Sequence, residues 1–358
     1  MKNKKFFLTD LLYIFFISLS LNIFFFSTAK LEAKAFEIEN IDISQPFELN
    51  FNKNDVLDKG FEMAFSKLIS LIVNSKNQKK IEKTQINEIK GMIETFSIKE
   101  EKFIDETYYV NLGVSFNKKK IFNYLEKNNI FPSVPIKKNF LLIPIIIDMR
   151  KKDLLIFNNN KFFDEWNKNF NETHLIQYIL PTEDLEDLNL IKQKFDNIEK
   201  YDFKDITNKY NLKDSIILLI FKNEKEVRAL SRITLNNNTI LENQSYPDIN
   251  LEDNEGINTI INSLKILYED YWKNFNEINT SIKLPISVKI NNLDISKLSN
   301  FEIDINNIDL IYDFNISKFD KDFTYYQIIF NSSPDVFLKI MKGKNYEFDT
   351  QNRIWFLK

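Results

Sequence analysis
The run Phe140–Ile147 is apolar at every position, and it constrains the fold more than any other stretch of the chain. A strand with one wet face alternates apolar and polar residues, whereas an unbroken run belongs to a strand covered on both faces. Ser215–Phe221 repeats the pattern, so the middle of the chain is expected to hold a sheet enclosed in a layered α/β domain. Pro144 interrupts the first run; because a central strand cannot spare an N–H, that stretch is expected at an edge or a bulge. Phe162, Phe163, Trp166 and Phe170 fall on one helical face, Leu175–Leu180 reads as a strand, and Thr182 is placed to cap a helix. Val227–Leu235 and Thr239–Gln244 read as a strand pair joined through Asn236-Asn237-Asn238. A long helix follows, with Ile257, Ile260, Ile261, Leu264, Leu267, Tyr268 and Trp272 at helical spacing.

Two further regions flank this one. With 358 residues, 44% of them hydrophobic, the chain is long enough for two or three cores. Residues 36–135 are expected to form an N-terminal α/β domain. In it, Phe36, Ile38, Ile41 and Ile43 alternate as a strand, and Leu57, Phe61, Ala64, Phe65, Leu68, Ile69 and Ile72 mark a helix capped by Asn54 or Asp55. A short helix holds Ile86, Ile89 and Ile93, Tyr108–Phe116 alternates as a second strand, and Ile121, Phe122 and Leu125 continue as a helix. Phe131-Pro132 and Val134-Pro135 then break both periods and mark the boundary with a middle α/β domain over 136–278. Residues 279–358 read as strand Ser281–Ile290, helix Leu293–Phe301, strands Ile305–Ile316 and Phe323–Phe330, a helix starting at Ser333-Pro334-Asp335 and stopping at Gly343, and a closing strand with Ile354, Trp355 and Phe356. That order, β-α-β-β-α-β, is the order of a ferredoxin-like sandwich. The fold class expected is thus α/β and α+β, in three small layered domains. Trp355, Phe337, Ile340 and Ile328 are expected to carry much of the last core.

Residues 1–35 are a targeting segment and stand outside this fold reading. Lys2, Lys4 and Lys5 precede an apolar run from Leu11 to Phe26, and small residues follow at Ser27-Thr28-Ala29 and Ala33-Lys34-Ala35. Cleavage after Ala35 would start the mature chain at Phe36. An uncleaved anchor stays open beside it, because the run approaches the length that spans a bilayer. In either case the positive flank keeps the N-terminus in the cytoplasm and the bulk of the chain outside it.

Several of these residues carry a family resemblance. Ala64-Phe65-Ser66-Lys67-Leu68, the strand Leu141-Leu142-Ile143-Pro144-Ile145 with Trp166 downstream, Pro181-Thr182-Glu183-Asp184-Leu185-Glu186-Asp187, Trp272-Lys273 and Trp355 are similar to motifs of the uncharacterised exported family catalogued as domain of unknown function 2066. The resemblance implies an envelope protein of Gram-negative bacteria, periplasmic or anchored in the inner membrane, whose first domains look like the accessory modules of TolB and the flagellar protein FlgT. It brings no catalytic residue and no cofactor. The chain departs from the family's usual composition in having few Ala and only 5 Gly.

The chemistry legible in the sequence is sparse. Cys is absent, which removes disulfides, thiolate metal ligands and thiol nucleophiles. His174 is the one histidine, so no His-based metal site forms, and a structural or exposed role is expected for it. The glycines are isolated from one another and cradle no phosphate. A net charge of -3 lacks the basic footprint of a nucleic-acid binder, so no nucleic-acid partner is expected, and the runs Lys118-Lys119-Lys120, Lys137-Lys138 and Lys151-Lys152 read as solvated charge. One acidic cluster remains, Glu183, Asp184, Glu186 and Asp187. It has the composition of a weak cation or partner site, but acids in a helix's first turn are accounted for by the macrodipole alone, and that reading is preferred. Two functions are left standing. The first is a non-catalytic structural or interaction component of the envelope with protein partners, touching the membrane only through residues 1–35 if these are retained. The alternative is a carbohydrate-active envelope enzyme that uses paired carboxylates.

Overall fold
The computed structural model describes residues 36–168, 173–223 and 226–358. The targeting segment and Phe170 lie outside the described residues. Within them the chain mixes helices with three sheets, as an α/β and α+β protein of layered parts.

The first sheet is antiparallel, in the order β1-β3-β2, from β1 (Glu37–Pro46), β2 (Ile93–Ile104) and β3 (Thr107–Phe116). Helix α1 (Lys53–Ile72) covers one face and buries Phe61, Ala64, Phe65, Leu68 and Ile72. Its cap is Asn52, whose side chain accepts from Asn54 N; it is neither Asn54 nor Asp55. Gly60 sits where α1 crosses the sheet, and a Cβ there would fall 2.5 Å from a Leu112 methyl and 2.6 Å from an Ile43 methyl. Helices α2 (Ser75–Ile81), α3 (Ile86–Met92) and α4 (Lys118–Lys127) complete the region. Ile93 opens β2 instead of closing a helix. This strand is invisible to periodicity because two register shifts against β3 and the charges of Lys99, Glu100, Glu101 and Lys102 interrupt its alternation.

The middle sheet is built from β4 (Lys138–Asp148), β5 (Asp153–Leu155), β6 (Ile176–Ile179), β7 (Ser215–Lys222), β8 (Glu226–Leu235) and β9 (Asn238–Pro247). Strand β4 pairs in parallel with β7 on one side; on the other it meets β6 along Lys138–Leu141 and β5 along Ile146–Asp148. This arrangement resolves Pro144. Leu141 N donates towards β7, so by alternation Pro144 faces the other way, into the gap between β6 and β5. Buried Asn160 fills that gap, its amide donating to Pro144 O at 2.8 Å and Leu155 O at 3.2 Å, while its oxygen caps α5 (Lys161–Glu165) through Phe162 N. Helix α8 (Asn254–Phe275) covers one face with Ile257, Ile260, Ile261, Leu264, Tyr268 and Trp272. The opposite face lies under α6 (Leu185–Gln193), α7 (Lys204–Thr207) and nearby turns, which bring Ile191, Ile198, Phe203 and Ile206 onto Leu141, Ile143, Ile145 and Ile147. Phe162 and Trp166 pack on the α8 side, but Phe163 packs on the other, so the expected single aromatic helical face is split between the two cores.

In the third region, β10 (Leu284–Asn291), α9 (Ile295–Asn306), β11 (Ile311–Phe319), β12 (Phe323–Phe330) and α10 (Pro334–Gly343) precede β13 (Phe348–Asp349) and β14 (Ile354–Leu357). Ser333 caps α10 and Pro334 opens it, as the sequence predicts. The helix runs on past Phe301 to Asn306, so Ile305 belongs to α9 and not to the strand expected from it; Phe301 and Ile305 are one helical turn apart on its buried face. The sheet order is β11-β12-β10-β14-β13. Its first three strands form the split β-α-β of a ferredoxin-like sandwich. The closing strand differs: after α10 the chain runs along the outer edge as β13, turns back through residues 350–353, and sets β14 parallel to β10.

The regions touch through polar groups as well as apolar ones. Lys118 Nζ donates to Ile308 O at 2.9 Å, Lys119 pairs with Asp313, and Tyr312 OH donates to Asn123 at 2.6 Å, so α4 is fastened to the third sheet. Lys118 and Lys119 are therefore part of a seam and not free surface charge. Lys120 reaches Gly91 O within its own region, and Lys138 pairs with buried Asp214.

Candidate functional site
The acidic cluster forms a helix start. Asp184, and not Thr182, is the cap of α6, accepting from Glu186 N at 2.8 Å and Asp187 N at 3.4 Å. Thr182 instead donates its N–H to Tyr210 OH. Lys209 Nζ lies 3.1 Å from Asp184 and 2.7 Å from buried Asp187, bridging the two carboxylates. Those bonds, Asp187 first, raise the Lys209 pKa, and the bond from Lys209 is the main reason the Asp184 carboxyl titrates below its ordinary range. Glu183 and Glu186 are exposed at the rim. Among the described residues no group of three His, Cys, Asp or Glu side chains is placed to hold a metal ion.

A second set of charges lies where sequence reasoning placed none. Lys265, Glu269 and Lys273 recur every four residues along α8 and are all buried. Glu269 accepts from Leu175 N at 2.9 Å and Ile176 N at 2.8 Å, terminating the backbone ahead of β6; burial nonetheless raises its pKa. Lys273 donates to Ser70 O near the end of α1, and burial lowers its pKa. Ser75, at the start of α2, donates both N–H and hydroxyl to Asp270, and Trp272 Nε1 donates to Ile136 O at 2.7 Å. These groups knit the last turns of α1 and α8 together. His174 stands beside them half-buried; burial first, then Lys265 and Lys273, depress its pKa and keep the ring neutral. The signal was present in the sequence as charges at i, i+4 and i+8 next to the apolar stripe of α8. Helical periodicity alone assigns such positions to solvent.

The feature with the character of a recognition surface lies at the far end of the first sheet. Phe47, at the exit of β1, donates its N–H to Glu106 O across the β2–β3 turn. Its ring meets Phe51 at 4.9 Å and Phe103 at 5.3 Å, and Phe103 in turn meets Tyr108 at 4.9 Å. Tyr108 is buried beneath them and its hydroxyl donates to Glu101, which also receives Lys53. Above this base the cluster is wet: Phe47 is 53% exposed and Phe103 59%, and Leu49, two residues beyond Phe47, is fully exposed. Glu48, Asp105 and Glu106, next to these residues in the chain, are exposed, as is Lys53, which pairs with Glu101. A contiguous apolar patch inside a charged rim is the usual form of an interaction site on a folded protein. None of its residues was singled out from the sequence, because each is a lone aromatic or aliphatic residue in a loop or at a strand end, and only the hairpin brings them together.

Comparison with family models gives no match, and comparison with curated proteins gives none either.

Proposed function
We propose that this chain is an exported, non-catalytic interaction protein of the Gram-negative envelope that meets a protein partner through the Phe47–Phe103 surface. The exposed aromatic patch with its acidic rim carries this reading, and it implies a partner offering an apolar recess edged by Lys or Arg. Export rests on the Lys-flanked apolar run of residues 1–35, and the resemblance to the domain of unknown function 2066 family agrees with it. Among the described residues no helix is long and apolar enough to cross a membrane. Membrane contact, in this reading, belongs to residues 1–35. The carbohydrate-enzyme alternative is the weaker one, since Asp184 is a helix cap and a lysine bridges it to Asp187.

The test places a photo-activated cross-linking residue at Leu49 in the full chain, within its own envelope. One adduct of defined mass is expected, and it is lost when Phe47→Ser and Phe103→Ser are combined. Absence of an adduct, or an adduct that survives the double change, sinks the proposal. Both side chains are more than half exposed, so the double variant should keep the wild-type melting temperature.

A further inference from the structure
The three sheets differ in how they protect their edges. Strand β1 has one register shift, β2 and β11 have two each, and β5, β6 and β13 are only three, four and two residues long. Such irregularity and brevity keep an edge from pairing with another chain. Strand β9 has neither. It runs ten residues in unbroken register against β8, from Asn238 opposite Leu235 to Pro247 opposite Glu226, and it carries no Lys or Arg.

Its free hydrogen-bonding row can be assigned. Asn236 and Asn237 have φ of 45° and 69°, the signature of a two-residue type I′ hairpin, which is closed by a hydrogen-bonded Leu235–Asn238 pair. By alternation Asn238, Ile240, Glu242, Gln244 and Tyr246 bond to β8, while Thr239, Leu241, Asn243, Ser245 and Pro247 point outward. Pro247 falls in the outward row, where its missing N–H costs the ladder nothing. Among the described residues no backbone bond outside the sheet engages that row. Exposed apolar side chains flank it: Leu241, 63% exposed, on one face, and Ile266, 50% exposed, on the helix side. Ile266 lies one turn beyond Ser263, whose hydroxyl receives Tyr246 OH from β9.

We propose that β9 pairs with β9 of a second copy of this chain, antiparallel about a two-fold axis at Asn243, so that two middle sheets join into one continuous sheet. The register follows from the side chains. A two-fold at Glu242 would set two carboxylates directly opposite, and one at Leu241 would leave Ser245 without a partner residue in the strand. Centred on Asn243, the overlap runs from Thr239 to Pro247 and opposes Ile240 to Tyr246, Glu242 to Gln244 and Leu241 to Ser245. No like charges meet. The same axis keeps both α8 helices on one side of the joined sheet, their Ile266 flanks towards each other. This assembly is independent of the partner surface at Phe47.

The test is the mass of the full chain in solution, measured by light scattering, in detergent where residues 1–35 are retained. The wild type is expected to be a dimer, and Asn243→Lys, which opposes two ammonium groups at the axis, to be a monomer with the melting temperature that the wild type has when diluted to the monomer. Because the chain has no Cys, Asn243→Cys should give a single disulfide-linked dimer under mild oxidation, whereas Thr239→Cys, opposite Pro247, should not. A wild-type monomer at the highest soluble concentration overturns the proposal. So does a dimer that survives Asn243→Lys, or a β9 edge whose amides gain exchange protection only with a foreign peptide.

Discussion
The middle and C-terminal sheets are made from similar apolar residues but solve different problems. In the middle sheet both faces of β4 and β7 are dry, held between α8 and the α6–α7 layer. In the C-terminal sheet one face packs Ile286, Val288 and Ile290 on α9 and α10, and the other is open to solvent. On the open face Lys289 lies over the rings of Phe323, at 4.9 Å, and Phe356, at 5.7 Å, and Lys318 lies 5.0 Å from Tyr325. Each such contact is worth about 0.5–1 kcal/mol where water reaches it. Coverage therefore decides the residue pattern: the enclosed sheet has no polar residue from Phe140 to Ile147, whereas the half-open sheet alternates buried apolar residues with wetter ones that include Lys289, Phe323 and Tyr325. The enclosed sheet spreads its stability over two cores, and the half-open one concentrates it in a few rings.

The sharpest test of that difference is aromatic truncation. Trp166 and Phe337 are both fully buried, the first against Tyr178 and Tyr268, the second against Phe330, Phe348 and Trp355. Trp166→Ala and Phe337→Ala should each cost about 3–5 kcal/mol in denaturant unfolding. Trp355 is only partly buried, so Trp355→Ala should cost less than Phe337→Ala, which moves the weight of this core away from the tryptophan favoured by sequence. Hydrogen exchange on the two truncations decides whether the sheets are separate units. Loss of protection confined to β4 and β7 in the first, and to β10 and β12 in the second, keeps the contrast; loss in both sheets at once breaks it.

A smaller effect is expected at Asn160, where the enclosed sheet depends on one polar side chain. Asn160→Ala strands Pro144 O and removes the α5 cap, at a cost of about 1–3 kcal/mol. An unchanged unfolding midpoint would mean that the gap between β6 and β5 is satisfied some other way. The C-terminal sheet has its own polar dependence at the α4 seam. Burial brings the Lys118 ammonium down from 10.5 to about 8, so between these values the unfolded chain binds the proton and the folded chain does not. Stability should therefore rise with pH across that window, and Lys118→Met should flatten the rise in a pH series of melting temperatures. The smallest effect belongs to the layer over the middle sheet. Asn caps a helix about as well as Asp, so Asp184→Asn should lower the melting temperature at neutral pH only slightly, by the weakened contact with Lys209. A marked drop in melting temperature would show that the bridge through Lys209 does more than cap α6.

Much of the architecture was legible as period. The runs Phe140–Ile147 and Ser215–Phe221, the stripe of α8 and the Ser333-Pro334 start all depend on neighbours a few residues away, whereas the expected stop at Gly343 falls instead on left-handed Asn345, Gly343 being the last helical residue. Local sterics and burial are enough to write them. What escaped depended on distant partners. Strand β2 exists because β3 pairs with it, Pro144 is tolerated because Asn160 arrives from outside the strand, and β14 takes its parallel place because of a turn at residues 350–353. The acidic cluster was rightly read as a helix start, but with the cap displaced from Thr182 to Asp184, a choice made when Tyr210 takes the Thr182 amide and Lys209 reaches two carboxylates. Sequence determined which stretches must be buried, since the free energy of removing an apolar side chain from water belongs to the residue itself. Tertiary structure alone decided which polar groups may join them and which aromatic rings stay wet, because a buried charge survives only beside a partner that the fold brings to it.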